Sequence, residues 1–466
     1  MQPQKRIGRF VSAFILIAGS FFWIHAFSQV ACGKIVPKET CSTDTTQSYA
    51  YYVPTFYDAS ISWPVIFVFE PGARGPLGVS VFASNAEKYG MVVICSNNSH
   101  NGPVEDMVAA ANAIYGDVHQ KFSVDEEFQV SSGFSGGARF AVYLAAYSEV
   151  IGATIACGAG YPATGSMEVA GNLIYFGIVG DADFNYAEML EFMESLEESS
   201  ILAGLSIFQG PHQWPPAQEI EQALLWIMLS RMKQNKEPVN RSLIARYNEL
   251  MDSLYTAYTG EGDLLLAARV AENWQDALHG LSGNPAPKIY LEQLESRSDY
   301  QQMLTDYRMV LNEETEKLKQ YIEEFKLLTL PSTQLAKPFS WWRSELRTLN
   351  SLAQDSDRIK AVSARRLIAA LSVNCYYASQ SMFETKRYEN ARLFTEIWRE
   401  AEPGSTSAVL MSARLHILEN KPDKAMDDLE VAASLGITRS VIKDDTLFAR
   451  LKAKKMYRAF LDSLEP

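Results

Sequence analysis

Cysteine and histidine are scarce in this chain, and basic charge is in deficit. Its 466 residues include five cysteines and six histidines. There is no C-x-x-C and no His/Cys cluster, so no zinc site is expected and no metal or other cofactor is called for. Lys and Arg total 42 against 55 Asp and Glu, a net charge of −13 without a basic stripe, which argues against nucleic acid as the main partner. Beyond residues 1–28 no stretch is apolar for long enough to span a bilayer.

The beginning of the chain is the exception. Lys5, Arg6 and Arg9 precede an apolar run over 10–27 that ends in Ala26-Phe27-Ser28, with small residues at the −3 and −1 places of a cleavage site after Ser28. Export to the periplasm or the exterior is the expectation; a retained membrane anchor and a lipidated Cys32 are the alternatives. Export permits a disulfide, and Cys32 with Cys41 is the expected pair, being close in sequence and outside the expected core. Cys95 and Cys157 end strand-like runs and are expected as buried thiols.

The length and an apolar content of 47% fit a globular chain of two or three domains. The pattern that organises it is Gly133-Phe134-Ser135-Gly136-Gly137, a G-x-S-x-G between a strand-like run over 127–130 and a helix-like run over 138–146. A serine at such a strand-to-helix turn has its hydroxyl exposed, and the following helix aims its first N–H groups at any oxyanion formed there. From 48 to 235 strand-like and helical runs alternate, which predicts a mostly parallel sheet covered on both faces. Strands are expected at 49–54, 65–69, 91–96, 128–132, 153–157, 173–179 and 205–209, and helices at 81–89, 104–122, 139–148, 187–199 and 216–235. Every residue of chemical interest falls at the carboxyl end of a strand, where such sheets bind ligands.

With Tyr51-Tyr52-Val53-Pro54 and Trp63-Pro64-Val65-Ile66 as opening strands, this half resembles an α/β-hydrolase of the esterase and polyhydroxybutyrate-depolymerase type. The resemblance implies a doubly wound, mostly parallel sheet and a triad in the order serine, acid, histidine. Ser135 is then the nucleophile, Asp183 of Gly180-Asp181-Ala182-Asp183 the acid with Asp181 its rival, and His212 the base. The oxyanion hole is expected from the N–H of Gly136 and that of Ala73 or Arg74, in a loop Glu70-Pro71-Gly72-Ala73-Arg74-Gly75 where many relatives have His-Gly. The loop carrying Asn97, Asn98 and His100 is expected to shape the pocket together with Asp181.

After about 238 the strand signal ends and apolar residues recur at helical spacing, with helices expected at 243–259, 264–281, 288–295 and 300–328. Pro331-Ser332-Thr333 breaks that pattern ahead of Trp341-Trp342. A spacing of 34 aligns Ala391 with Ala425, Cys375 with Val409 and Ser379 with Ala413, the small and apolar positions of a helix pair. The segment 371–436 therefore resembles two tetratricopeptide units followed by a cap, with His416 on an inter-helix packing position. The expected organisation is a signal peptide 1–28, an α/β-hydrolase domain 29–237, a helical domain 238–370 and a tetratricopeptide-like all-α segment 371–466. The function implied is an exported serine hydrolase acting on a carboxylic ester, small or polymeric. Peptide cleavage by the same triad is not excluded, and the alternative is an inactive scaffold whose repeats bind a protein or polymer.

Overall fold

A computed structural model describes residues 30–162, 173–197, 199–330, 336–452 and 455–464. The expected signal peptide and the break at Pro331-Ser332-Thr333 lie outside the described residues. The first half is built on eight strands: β1 (Val36–Thr40), β2 (Ser48–Tyr52), β3 (Trp63–Phe69), β4 (Val92–Ser96), β5 (Val124–Phe134), β6 (Ala153–Cys157), β7 (Ile174–Gly180) and β8 (Leu202–Phe208). They lie in the order β1-β2-β4-β3-β5-β6-β7-β8, with β2 antiparallel to β1 and β4 and all other neighbours parallel. Strands covered on both faces read as unbroken apolar runs, as β7 does, every residue of it buried. β1 was not expected: its sequence Val-Pro-Lys-Glu-Thr lies half in solvent at the sheet edge, with no apolar alternation to betray it.

Helices α1 (Gly75–Tyr89) and α5 (Ala217–Lys233) cover one face of the sheet, α2 (Val104–Lys121) and α3 (Gly136–Tyr147) the other, and α4 (Tyr186–Glu197) packs on β7 and β8. The chain then continues in helices alone: α6 (Arg241–Glu261), α7 (Leu264–Leu278), α8 (Ala286–Glu295), α9 (Ser298–Leu328), α10 (Phe339–Leu352), α11 (Arg358–Glu384), α12 (Tyr388–Ala401), α13 (Thr406–Leu418), α14 (Pro422–Ser434), α15 (Arg439–Asp444), a 3-10 turn Phe448–Leu451 and α16 (Lys455–Ser463). Side chains of Asn240, Asp263 and Asp357 accept the first free N–H groups of α6, α7 and α11, which fixes where those helices start.

The boundaries expected at 237/238 and 370/371 are both crossed by packed elements. Helix α5 is buried nearly all round, because its second face is covered by α6 and α7. One apolar cluster therefore runs from Ile66 and Phe176 through Trp226 to Tyr247, Trp274 and Leu294. The buried amide of Asn273 adds a polar link, donating to Leu205 O at 2.8 Å. Residue 370 lies inside α11, whose core with Tyr321, Trp342, Phe394 and Met411 is the second cluster. Of the positions aligned by the spacing of 34, Ala391 is enclosed in this cluster, Ala413 and Ala425 in the next one toward the end of the chain, and Ser379 is also buried. His416 differs from the expected packing residue, holding Asp428 at 2.8 Å in a polar network with Arg399. The expected Cys32–Cys41 disulfide is also absent. Cys41 is enclosed in the core under β2 and β3 while Cys32 is exposed, and both are free thiols.

Candidate active site

β5 is the central strand, and its carboxyl end delivers Ser135 directly into the first turn of α3. Ser135 has φ 53° and ψ −120°, a conformation that costs a non-glycine residue about 1–3 kcal/mol and persists only where the surroundings impose it. Here Ser135 N donates to Cys157 O at 2.8 Å, and Ser135 O accepts from Ala138 N and Arg139 N. Gly133 is required by close approach, since a Cβ there would sit 2.3 Å from Gly137 O.

The other two members of the expected triad come from the next strands. β7 ends in the turn that holds Asp183, and the chain beyond β8 turns through Gly210-Pro211 to His212. Asp183, almost fully enclosed, places its carboxylate oxygens 2.8 and 2.9 Å from His212 Nδ1. The imidazole is gripped between Phe134 and Phe184, with ring centroids at 4.5 and 4.2 Å. No hydrogen bond joins Ser135 Oγ to His212 among the described residues, but both line one cavity of about 1100 Å³.

That cavity is walled by the sheet ends and roofed by the helical half. Glu314, Leu318 and Ile322 of α9 and Ala370, Val373 and Tyr377 of α11 face Ser135 across it. On the wall Arg139 pairs with Glu188 at 2.5 Å, and Glu188 also accepts from the N–H groups of Gly160 and Tyr161. Behind the roof Arg366 is buried, paired with Glu314 at 2.5 and 2.8 Å and lying over the Tyr186 ring.

Asp181 does not belong to this cavity. Its Oδ1 accepts from Gly210 N at 2.9 Å, its Oδ2 pairs with Arg358, and its carbonyl accepts from Arg366 at 2.6 Å. Burial pushes its carboxyl above the usual range, against the pull of Arg358. It pegs α11 to the acid-bearing turn and lines a separate cavity of about 360 Å³ with Tyr186, Asp263 and Arg358.

Three further expectations are corrected. The backbone N–H groups of Ala73 and Arg74 are not available to an oxyanion. Ala73 N donates to Glu70 O at 3.1 Å, while Arg74 N and Gly72 N donate to the Glu70 carboxylate at 2.9 and 2.8 Å. Burial alone would raise that carboxyl, but the bonds from Arg74 and Gly72 hold it below the usual range. Asn97 and Asn98 tie the hairpin of β1 and β2, through Pro37 O at 3.1 Å and Ser48 N at 2.8 Å. His100 is exposed and joined to Gly72 by a backbone bridge. Their loop reaches the cavity through Asn101 and Gly102 instead. The loop 96–102 was expected at the active edge with its amides, but Asn101 was not singled out within it, and no residue of the roof was named for the site. Among the described residues no group of His, Cys, Asp or Glu is arranged to hold a metal ion.

No family model and no curated protein matches the chain. Solved structures similar to it include a substrate-bound, fluorophosphonate-binding serine hydrolase of Staphylococcus aureus, at 13% identity over 42% of this chain and 99% of that one, TM-score 0.35. S-formylglutathione hydrolase of the same organism is similar at 13% identity over 42% and 95%, TM-score 0.33. A feruloyl esterase module of Clostridium thermocellum complexed with sinapinate is similar at 16% identity over 39% and 83%, TM-score 0.31. The strand order, the antiparallel edge at β1 and β2, and a serine held between β5 and α3 with acid and histidine after β7 and β8 give the first half of this chain the α/β-hydrolase fold.

Proposed function

We propose that the protein is an exported serine hydrolase that cleaves a carboxylic ester through an acyl-enzyme on Ser135. The observation that carries this reading is the Asp183–His212 pair at 2.8 Å, set in the same cavity as a serine on a strained elbow. His212 Nε2 removes the proton of Ser135 Oγ as the oxygen attacks the ester carbonyl. The tetrahedral intermediate collapses, its alcohol leaves with the proton from His212, and a water activated by the same imidazole then releases the acid. Asp183 fixes the tautomer and stabilises the imidazolium. A hydrogen bond between Ser135 and His212 is expected to form when substrate binds, since such catalytic bonds are often long or misaligned in the free enzyme. Peptide bonds are open to the same chemistry.

The roof supports a role for the helical half in restricting which esters reach Ser135. Ala370, Val373, Asn374 and Tyr377 of α11 line that cavity, so this side of the helix is turned toward the candidate site. Export rests on the zones of residues 1–28, and mass spectrometry of protein from its native host should find a chain starting near Gln29. The test of the catalytic reading is labelling with a fluorophosphonate probe and turnover of short p-nitrophenyl esters. Ser135→Ala and His212→Ala should each abolish most turnover, and the double variant should lose little more. Protein that neither labels nor turns over, with Ser135→Ala keeping its biological role, would replace the enzyme by a scaffold.

A further inference from the structure

The geometry points to the side-chain amide of Asn101 as the second donor of the oxyanion hole, an inference that rests on Ser135 being the nucleophile. One donor is already at hand: Gly136 N, at the first turn of α3, has no acceptor within its helix. The backbone donors on the facing loop are consumed, since Gly72, Ala73 and Arg74 all donate to Glu70, and Pro71 has no N–H to give. Removing one donor from such a hole costs about 10²–10³ in rate, so a second donor matters.

Asn101 is where that donor can come from. It lines the cavity with Ser135 and Gly136. Its side chain lies so close over the elbow that a Cβ on Gly136 would fall 1.9 Å from Oδ1 and 3.3 Å from Nδ2. A Cβ after the nucleophile would therefore require the amide to move, and Oδ1 is the nearer of its two polar atoms. Two contacts hold the residue there: Asn101 N donates to Pro71 O at 2.9 Å, and Nδ2 donates to the Tyr377 hydroxyl at 3.2 Å. An amide nitrogen carries two protons, so one remains for an oxyanion after Tyr377 has taken the other. Tyr377 belongs to α11, so the roof also orients this donor; it is a positioning residue, while Asn101 is the catalytic one.

The experiment uses the full-length protein and p-nitrophenyl acetate. Asn101→Ala is expected to lower kcat by about 10²-fold or more with KM changed by less than about threefold, the mark of a contact made in the transition state. Asn101→Asp keeps the size and can keep the tie by accepting from Tyr377, yet it presents an acceptor to the oxyanion, so it should be at least as slow. Tyr377→Phe removes only the tether and should cost less than either. Asn101→Ala or Asn101→Asp within about threefold of the wild-type kcat, with turnover still dependent on Ser135, overturns the inference and leaves the nucleophile standing. So does a loss expressed in KM alone, or one equalled by Tyr377→Phe. A wild-type protein without Ser135-dependent turnover removes the reading on which the inference stands.

Discussion

Asp183 and Asp181 sit two positions apart in one turn, yet their surroundings divide the work between them. Asp183 is bound to the imidazole, and Asp181 is bound to Gly210, Arg358 and Arg366. Asp183→Asn should reduce kcat on a p-nitrophenyl ester by up to about 10⁴-fold, while Asp181→Asn should cost far less; the reverse ranking would transfer the catalytic role. Glu219 is a second buried carboxyl with a testable consequence. Burial lifts it from its ordinary 4.5 to about 7, opposed only by a hydrogen bond from Ser206. The folded state therefore holds this proton more tightly than the unfolded chain does. Its stabilisation is complete below about pH 4.5 and fades as pH rises toward 7. Thermal unfolding at pH 5 and pH 7 should show a smaller loss of stability over that interval in Glu219→Gln than in the wild type. Ser135, Asp183 and His212 were legible because each follows an apolar strand at a position set by local sequence. Asn101 and Glu70 were not, because what they do depends on which loop comes to lie beside which, and no periodicity records that.

Among the secondary-structure elements, α9 and α11 matter most to the site, and the ion pair between them is its hidden support. Arg366 and Glu314 are both buried, and together they bond two N–H groups to two carboxylate oxygens. Arg366→Met leaves the carboxylate of Glu314 enclosed without its partner, which should destabilise the protein by about 3–5 kcal/mol in urea unfolding. The double variant Arg366→Met with Glu314→Gln should recover much of that loss; no recovery would show that Arg366 acts chiefly through its bond to Asp181 O. Helices α6 to α9 were legible from apolar spacing, with ends shifted by a few residues and the start of α7 after its Asp263 cap where it was expected, whereas α10 and the start of α11 at its Asp357 cap were not delineated. The position of α9 and α11 over Ser135 was not legible. It arises from contacts between residues far apart in sequence, such as Asn101 with Tyr377, and from a charge pair that in sequence looks like any exposed Glu and Arg.

For the whole molecule, the change from alternating strands and helices to helices alone was read as a domain boundary, and one apolar cluster runs across it. Trp226, Leu229 and Met232 on α5 are enclosed in the cluster that includes Tyr247 and Trp274. A chain ended at residue 237 would leave that apolar face in water, so it should aggregate on expression. Limited proteolysis of the full chain should not release a stable 30–237 fragment; recovery of one with native-like thermal unfolding would restore the two-unit description. The continuous core also orders events in time. The cluster that secures the sheet is complete by about Tyr300, whereas the roof begins at Glu314 and finishes at Tyr377. Ser135, Asp183 and His212 therefore leave the ribosome, with the core that secures the sheet, before the residues that cover them. Reactivity is written into the earlier part of the chain and discrimination into the later part, so selectivity is the last property the growing polypeptide acquires.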